Sequence, residues 1–329
     1  MRILLVMLLA LVQANTPAPD VPAATIANGS IRASIHLPDA KAGYYRGARF
    51  DWSGQVSSLT WNGHEYFGQW FEQYDPTLHD AIQGPVEEFL TGDSALGYAE
   101  AAPGGTFVRI GIGVLRKPAG ETSLQRFGRY EIVDNGKWTT KTGKDRITFV
   151  HELKDGTGYA YVYRKVLRLD GDRLVIEHEL KNTGTRPIAT SVYNHNFFTL
   201  DRKTTGPDNL VRFPFAPKAA RPLNGMAEIR GREVAILRDL QPKENVFTEL
   251  EGFGTSASDN GFEMENRATG AGVRVAGDRP LSKLLFWSAH KTVCPEPYVD
   301  ASVEPGRTTS WAITYTFYDA KKPAASATR

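Results

Sequence analysis

The chain has 329 residues, 41% of them hydrophobic, and its 39 Lys and Arg are balanced by 37 Asp and Glu. The charges are interspersed, so there is no basic stripe to track phosphates and nucleic acid is excluded as an expected partner. A single cysteine, Cys294, rules out an internal disulfide and leaves the apolar core to hold the fold.

At the start of the chain, Arg2 precedes an apolar run over residues 3–12 that ends in Val12-Gln13-Ala14. This is the pattern of a secretory signal peptide cut near Ala14. A membrane span would need about 20 apolar residues, roughly twice this run. The expectation is an exported protein, periplasmic or secreted, with no membrane attachment once residues 1–14 are removed. Residues 15–24, rich in Pro and Ala, predict a solvated lead-in.

Turn pairs then recur between runs rich in Val, Ile, Tyr, Phe and Thr: Asn62-Gly63, Gly104-Gly105, Asn135-Gly136, Asp155-Gly156 and Asp170-Gly171. Residues that tolerate positive φ between such runs signal β-hairpins. The clearest lies over residues 159–180, where Tyr159, Tyr161 and Tyr163 alternate outward to the turn and Leu174, Ile176, His178 and Leu180 return. Further strands are expected at 105–115, 146–153, 208–215, 271–276, 283–288 and 309–318. Helical periodicity never lasts beyond two turns outside the signal peptide. The expected fold is all-β: one domain over residues 25–320, a large antiparallel β-sandwich with one sheet face or rim free to form a cleft, followed by a frayed tail at 321–329.

Four segments carry residues suited to chemistry. Residues 44–54, YYRGARFDWSG, read as an extended strand with Arg49 and Asp51 on one face; they are either a buried ion pair or a donor to sugar hydroxyls. Residues 79–97 hold His79, Glu87 and Glu88; neighbours in a strand face opposite ways, so at most one of the two glutamates points into a site. In YNHNFFTLD, residues 193–201, His195 sits among Asn194, Asn196, Phe197 and Phe198. Amides that read hydroxyls, rings that stack on a sugar face and an imidazole that moves protons would suit a polyol; a strand-end His bonded to backbone is the plainer account. In TVCPEPY, residues 292–298, Pro295 and Pro297 flank Glu296 and predict a stiff, non-ladder segment. A rigidly held carboxylate fits a general base, and an exposed Glu in a Pro-rich turn is the alternative. His151 and His178 alternate with apolar neighbours and read as core. No His pair has metal-ligand spacing, no G-x-S-x-G occurs, and neither a metal nor a cofactor is expected.

A His in an Asn-His-x-Phe-Phe run in mid-chain, followed about a hundred residues later by Cys-x-Glu-Pro and a Pro-Gly turn into the last strand, resembles the galactose mutarotase-like superfamily. Its aldose 1-epimerases and hexose-phosphate mutarotases carry these motifs. The resemblance implies a large twisted β-sandwich that binds a sugar or oligosaccharide, with His195 as acid and Glu296 as base in ring opening and closure. It implies sugar contacts by Arg49 and His79, although residues 79–81 read His-Asp-Ala instead of the His-Gly-Gly common in galactose mutarotases. Asp259 is the nearest counterpart of the family's substrate-binding Asp. The rival reading is a non-catalytic exported carbohydrate-binding or polysaccharide-utilisation protein on the same scaffold. A lyase or hydrolase is disfavoured, since no spaced carboxylate pair is visible.

Overall fold

A computed structural model describes residues 21–321; the expected signal peptide, residues 15–20 and the tail beyond residue 321 lie outside them. The first strand, Ala23–Ala27, begins two residues before the expected domain start. Antiparallel strands make up two main sheets of ten and six strands and two smaller sheets of four and three. The only helical turns among the described residues are the 3₁₀ segments Leu200–Arg202 and Ala257–Asp259, and no helix is long and apolar enough to cross a membrane.

The predicted hairpin is Ala160–Asp170 paired with Arg173–Asn182, joined by a tight turn with Gly171 at φ +56°. Alternation sends Tyr161, Tyr163, Leu167 and Leu169 inward, and it sends Lys165 inward with them. In the ten-stranded sheet this hairpin adjoins Arg146–Lys154 on one side and Thr308–Asp319 on the other. Ile147, Phe149, Leu167, Ile176 and Tyr315 of that sheet meet Val246, Phe286 and Val293 of the six-stranded sheet in one core. The fold is thus the expected β-sandwich.

Three local readings are corrected. The expected strand at 105–115 is split into Thr106–Arg109 and Gly113–Arg116, because Gly111 (φ +78°) and Gly113 (φ +145°) reverse the chain. Residues 44–54 form no strand, so Arg49 and Asp51 do not share a face: Arg49 binds Glu88, while Asp51 binds Ser53 and Lys165. The segment around Glu296 belongs to a ladder after all, the strand Thr292–Val303.

The prolines are tolerated there for a geometric reason. Val293 exchanges backbone bonds of 3.1 and 3.2 Å with Phe198, so residues 293, 295 and 297 direct their N–H and C=O positions toward the Ile188–His195 side. Pairing with Lys283–Ala289 uses the alternate residues. The missing N–H groups of Pro295 and Pro297 therefore leave the ladder with Lys283–Ala289 intact and interrupt only the other one, between Tyr193–Tyr298 and Phe198–Val293.

Candidate functional site

The six-stranded sheet runs Lys218–Ala219, Asn245–Glu251, Lys283–Ala289, Thr292–Val303, Ile188–His195, Val86–Leu90. One face feeds the core; the other carries Phe247, Leu285, Trp287, Glu296 and His195 into a cavity of about 380 Å³. Tyr193 lies opposite Tyr298, and continuing that register by two residues sets His195 opposite Glu296 as a close, non-hydrogen-bonded pair. Their side chains meet accordingly, with His195 Nε2 3.3 Å from Glu296 Oε1. Both sit at the bottom of the cavity, only 4% and 3% exposed.

Loops supply the opposite wall with Arg49, Trp70, His79, Arg126 and Phe127. Phe127, 54% exposed, and Phe247, 37% exposed, present apolar rings at the rim. Deeper down, Phe197 adopts φ +42° at the end of the Ile188–His195 strand, held by its N–H to Cys294 Sγ at 3.0 Å. A left-handed phenylalanine costs about 1–2 kcal/mol. The conformation keeps its ring parallel to the His195 imidazole at 3.7 Å between centroids, while Phe198 turns into the core.

Under this pair lies a charged floor. Glu88 accepts from Arg49 Nε (2.9 Å) and from Arg126 Nε and Nη2 (3.1 and 2.9 Å), and it also accepts from the Tyr193 hydroxyl. Burial alone would raise the Glu88 carboxyl, but the two guanidinium groups hold it well below the usual carboxylate range. Burial pushes Glu296 up to about 7, against partial relief from Arg49 and Arg126. Burial, reinforced by the same arginines, drives the His195 imidazole well below its ordinary 6.5. At neutral pH the imidazole is therefore neutral, and as pH falls below about 7 the pair's proton settles on Glu296. The cationic His195 expected of a resting acid is not what this environment favours.

Asn194 and Asn196, expected to read sugar hydroxyls, face the other way. They alternate with Tyr193, His195 and Phe197, so Asn194 donates to Glu87 at 2.9 Å inside the sandwich, and Asn196 donates to the Pro295 carbonyl at 2.7 Å and accepts from the Tyr315 hydroxyl. Asp259 is also displaced: it ends the segment Ala257–Asp259 and caps the Gly254 N–H at 2.6 Å, outside the cleft lining. A larger cavity of about 550 Å³ borders that segment, but its Arg212, Glu263 and Arg274 are paired with one another. His79 does line the cleft, 3.4 Å from Asp80 and with its ring 4.9 Å from that of Phe127. Glu87 and Glu88 do diverge, with Glu87 going inward to Lys165. His151 and His178 are buried as read. Among the described residues no group of three or more His, Cys, Asp or Glu is placed to hold a metal ion.

Sequence reasoning missed Arg126, Phe127, Trp70 and Trp287. Only Trp287 had a usable signal: it alternates with Leu285 in the expected 283–288 strand, which puts both on one face.

No protein-family model matches the sequence, and no curated protein resembles it in sequence. Solved structures do match. A protein from Synechocystis is 18% identical over 92% of this chain and 97% of its own, with a TM-score of 0.55. A galactose mutarotase related enzyme from Lactobacillus acidophilus is 14% identical over 92% and 99%, with a TM-score of 0.53. An aldose epimerase homologue from C. elegans is 13% identical over 92% and 100%, with a TM-score of 0.55. The chain has the galactose mutarotase-like fold. Within it, the seam between Ile188–His195 and Thr292–Val303 is where the His195–Glu296 pair lies.

Proposed function

We propose that this protein interconverts sugar anomers by aldose 1-epimerase-like ring opening and closure. The reading rests on one observation: an imidazole and a carboxyl 3.3 Å apart at the foot of an aromatic-walled cavity of about 380 Å³. That volume falls in the range of small-ligand sites. Two of the matching structures, a galactose mutarotase related enzyme and an aldose epimerase homologue, support a sugar as the substrate.

Mutarotation needs one proton delivered to the ring oxygen and one taken from the anomeric hydroxyl. A pair holding a single proton between two groups does both in one turnover: the member that carries it protonates the ring oxygen, and the bare member accepts from the hydroxyl. Sharing one proton across 3.3 Å also lets the pair reset without solvent. Phe127 and Phe247 offer ring faces to the apolar side of a pyranose, and Arg49 and Arg126 offer guanidinium donors to its hydroxyls. Export, read from residues 1–14, would place the substrate outside the cytoplasm.

Polarimetry on freshly dissolved α-glucose and α-galactose tests the proposal. The mature protein should accelerate the approach to equilibrium, and His195→Ala should lose about 10²–10⁴-fold of that rate. Since Glu296 titrates near 7, kcat/KM should decline as pH rises past that value and the pair's proton is lost. Wild-type rates equal to the uncatalysed ones would overturn mutarotation of these hexoses. Quenching of Trp fluorescence by sugar without turnover would favour the binding-protein reading.

A further inference from the structure

The cleft does not end at the pyranose-sized cavity. A second cavity of about 340 Å³ shares Trp70, Asp80, Asn245 and Trp287 with the first and continues past Phe71 to Lys243 and Lys291. The ring planes show how the two connect. His195, Phe197 and Trp70 form a parallel stack, with centroids 3.7 and 5.0 Å apart and planes within 9° and 12°. Trp287 stands at 76°, 84° and 75° to the three rings in turn, a wall running the length of the stack. The proton-transfer pair lies at one end of this wall and the second cavity opens at the other.

The second cavity has its own polar equipment. Among the described residues, neither Lys243 nor Lys291 has a hydrogen-bond or ion-pair partner, so both ammonium groups have free donors. Lys243 adopts φ +73°, a strained conformation for a side chain of that size, on a turn tied down by the Arg238–Glu244 pair. Phe71 adds a ring edge-on to Trp70 at 5.7 Å. Aromatic faces flanked by free donors are what a second saccharide ring requires.

We infer that the substrate is the reducing end of an oligosaccharide, with its terminal ring on His195 and Glu296 and its next ring in the Phe71–Lys243–Lys291 cavity. The inference rests on the sugar reading of the first cavity and names the substrate's size. Extra stacking and hydrogen bonds at a second ring should raise affinity about tenfold or more over the terminal monosaccharide alone.

Titration of Trp fluorescence with glucose, galactose and galacturonate, and with lactose, maltose, cellobiose and digalacturonate, tests this directly. At least one disaccharide should bind about tenfold more tightly than its own reducing-end monosaccharide. Ala289→Trp, which fills the second cavity from the end of the Lys283–Ala289 strand, and Lys243→Ala should each remove that gain and leave monosaccharide binding unchanged. No gain for any disaccharide, or a gain that survives Ala289→Trp, overturns the inference. Monosaccharide mutarotation without a disaccharide gain would sink the second subsite alone. A gain that Ala289→Trp abolishes, without turnover of any anomer, would keep the subsite and sink the epimerase reading.

Discussion

Glu296→Gln separates the electrostatic account of the site from its geometry. A carboxyl that titrates near 7 when folded and near 4.5 when unfolded holds its proton more tightly in the native state. Its native-state penalty is absent below the unfolded value, grows as pH rises between the two, and is complete above the folded one. At about 1.4 kcal/mol per pH unit, the interval from 4.5 to about 7 amounts to about 3 kcal/mol. Most of it, about 2–3 kcal/mol, accrues between about pH 5 and pH 8. Glutamine has nearly the same shape and does not titrate, so the variant should gain on the wild type across that range, while His195 contributes similarly to both. Near 2 °C per kcal/mol for a chain of this size, the difference in Tm should widen by about 5 °C. Thermal unfolding followed by near-ultraviolet circular dichroism at a series of pH values measures it. A Tm difference that stays flat with pH would mean that Glu296 is ionised in the native cleft, and the single-proton account of the pair would fall with it.

Two further outcomes follow from other parts of the molecule. Lys165 is fully buried in the ten-stranded sheet and pairs with Glu87 and, at 3.3 Å, with Asp51; Lys165→Met would strand two carboxylates and should cost about 3–5 kcal/mol in urea unfolding, with Lys165→Met/Glu87→Gln recovering part of the loss. Asp259→Ala should leave sugar affinity and turnover unchanged, since that carboxylate caps the Gly254 N–H outside the cleft; an effect on KM would return Asp259 to the site.

Strands were legible where long two-residue alternation flanked a turn pair, as in Ala160–Asp170 and Arg173–Asn182, because side-chain period and burial are local properties. The same alternation, applied to Glu87 and Glu88, separated them correctly. Had it been applied to residues 193–197, it would have moved Asn194 and Asn196 off the face of His195. The prolines around Glu296 misled for a different reason. Whether a missing N–H breaks a ladder depends on which side of the strand has a partner, and that is a property of the sheet, not of the tripeptide. Arg126 lies on a loop far in sequence from Glu88, Tyr193 and Tyr298, and nothing local marks it as their neighbour. Lys165 was hidden in plain alternation, where a basic residue in an apolar row meant a buried counter-charge.

His195, Glu296 and Trp287 project from hydrogen-bonded strands, whereas Arg49, His79, Arg126 and Phe127 come from connecting segments. The spacing of His195 and Glu296 is thus set by the sheet, and the shape of the rim by the connections. On the proposed reading, exchanges at His79 and Phe127 would redraw which saccharide fits while His195 and Glu296 stay anchored at their spacing, whereas Arg49 and Arg126, which also tune that pair from above Glu88, must be kept. A scaffold divided in this way invites grafting at those rim positions, with the strand backbone that holds the His195–Glu296 pair left in place.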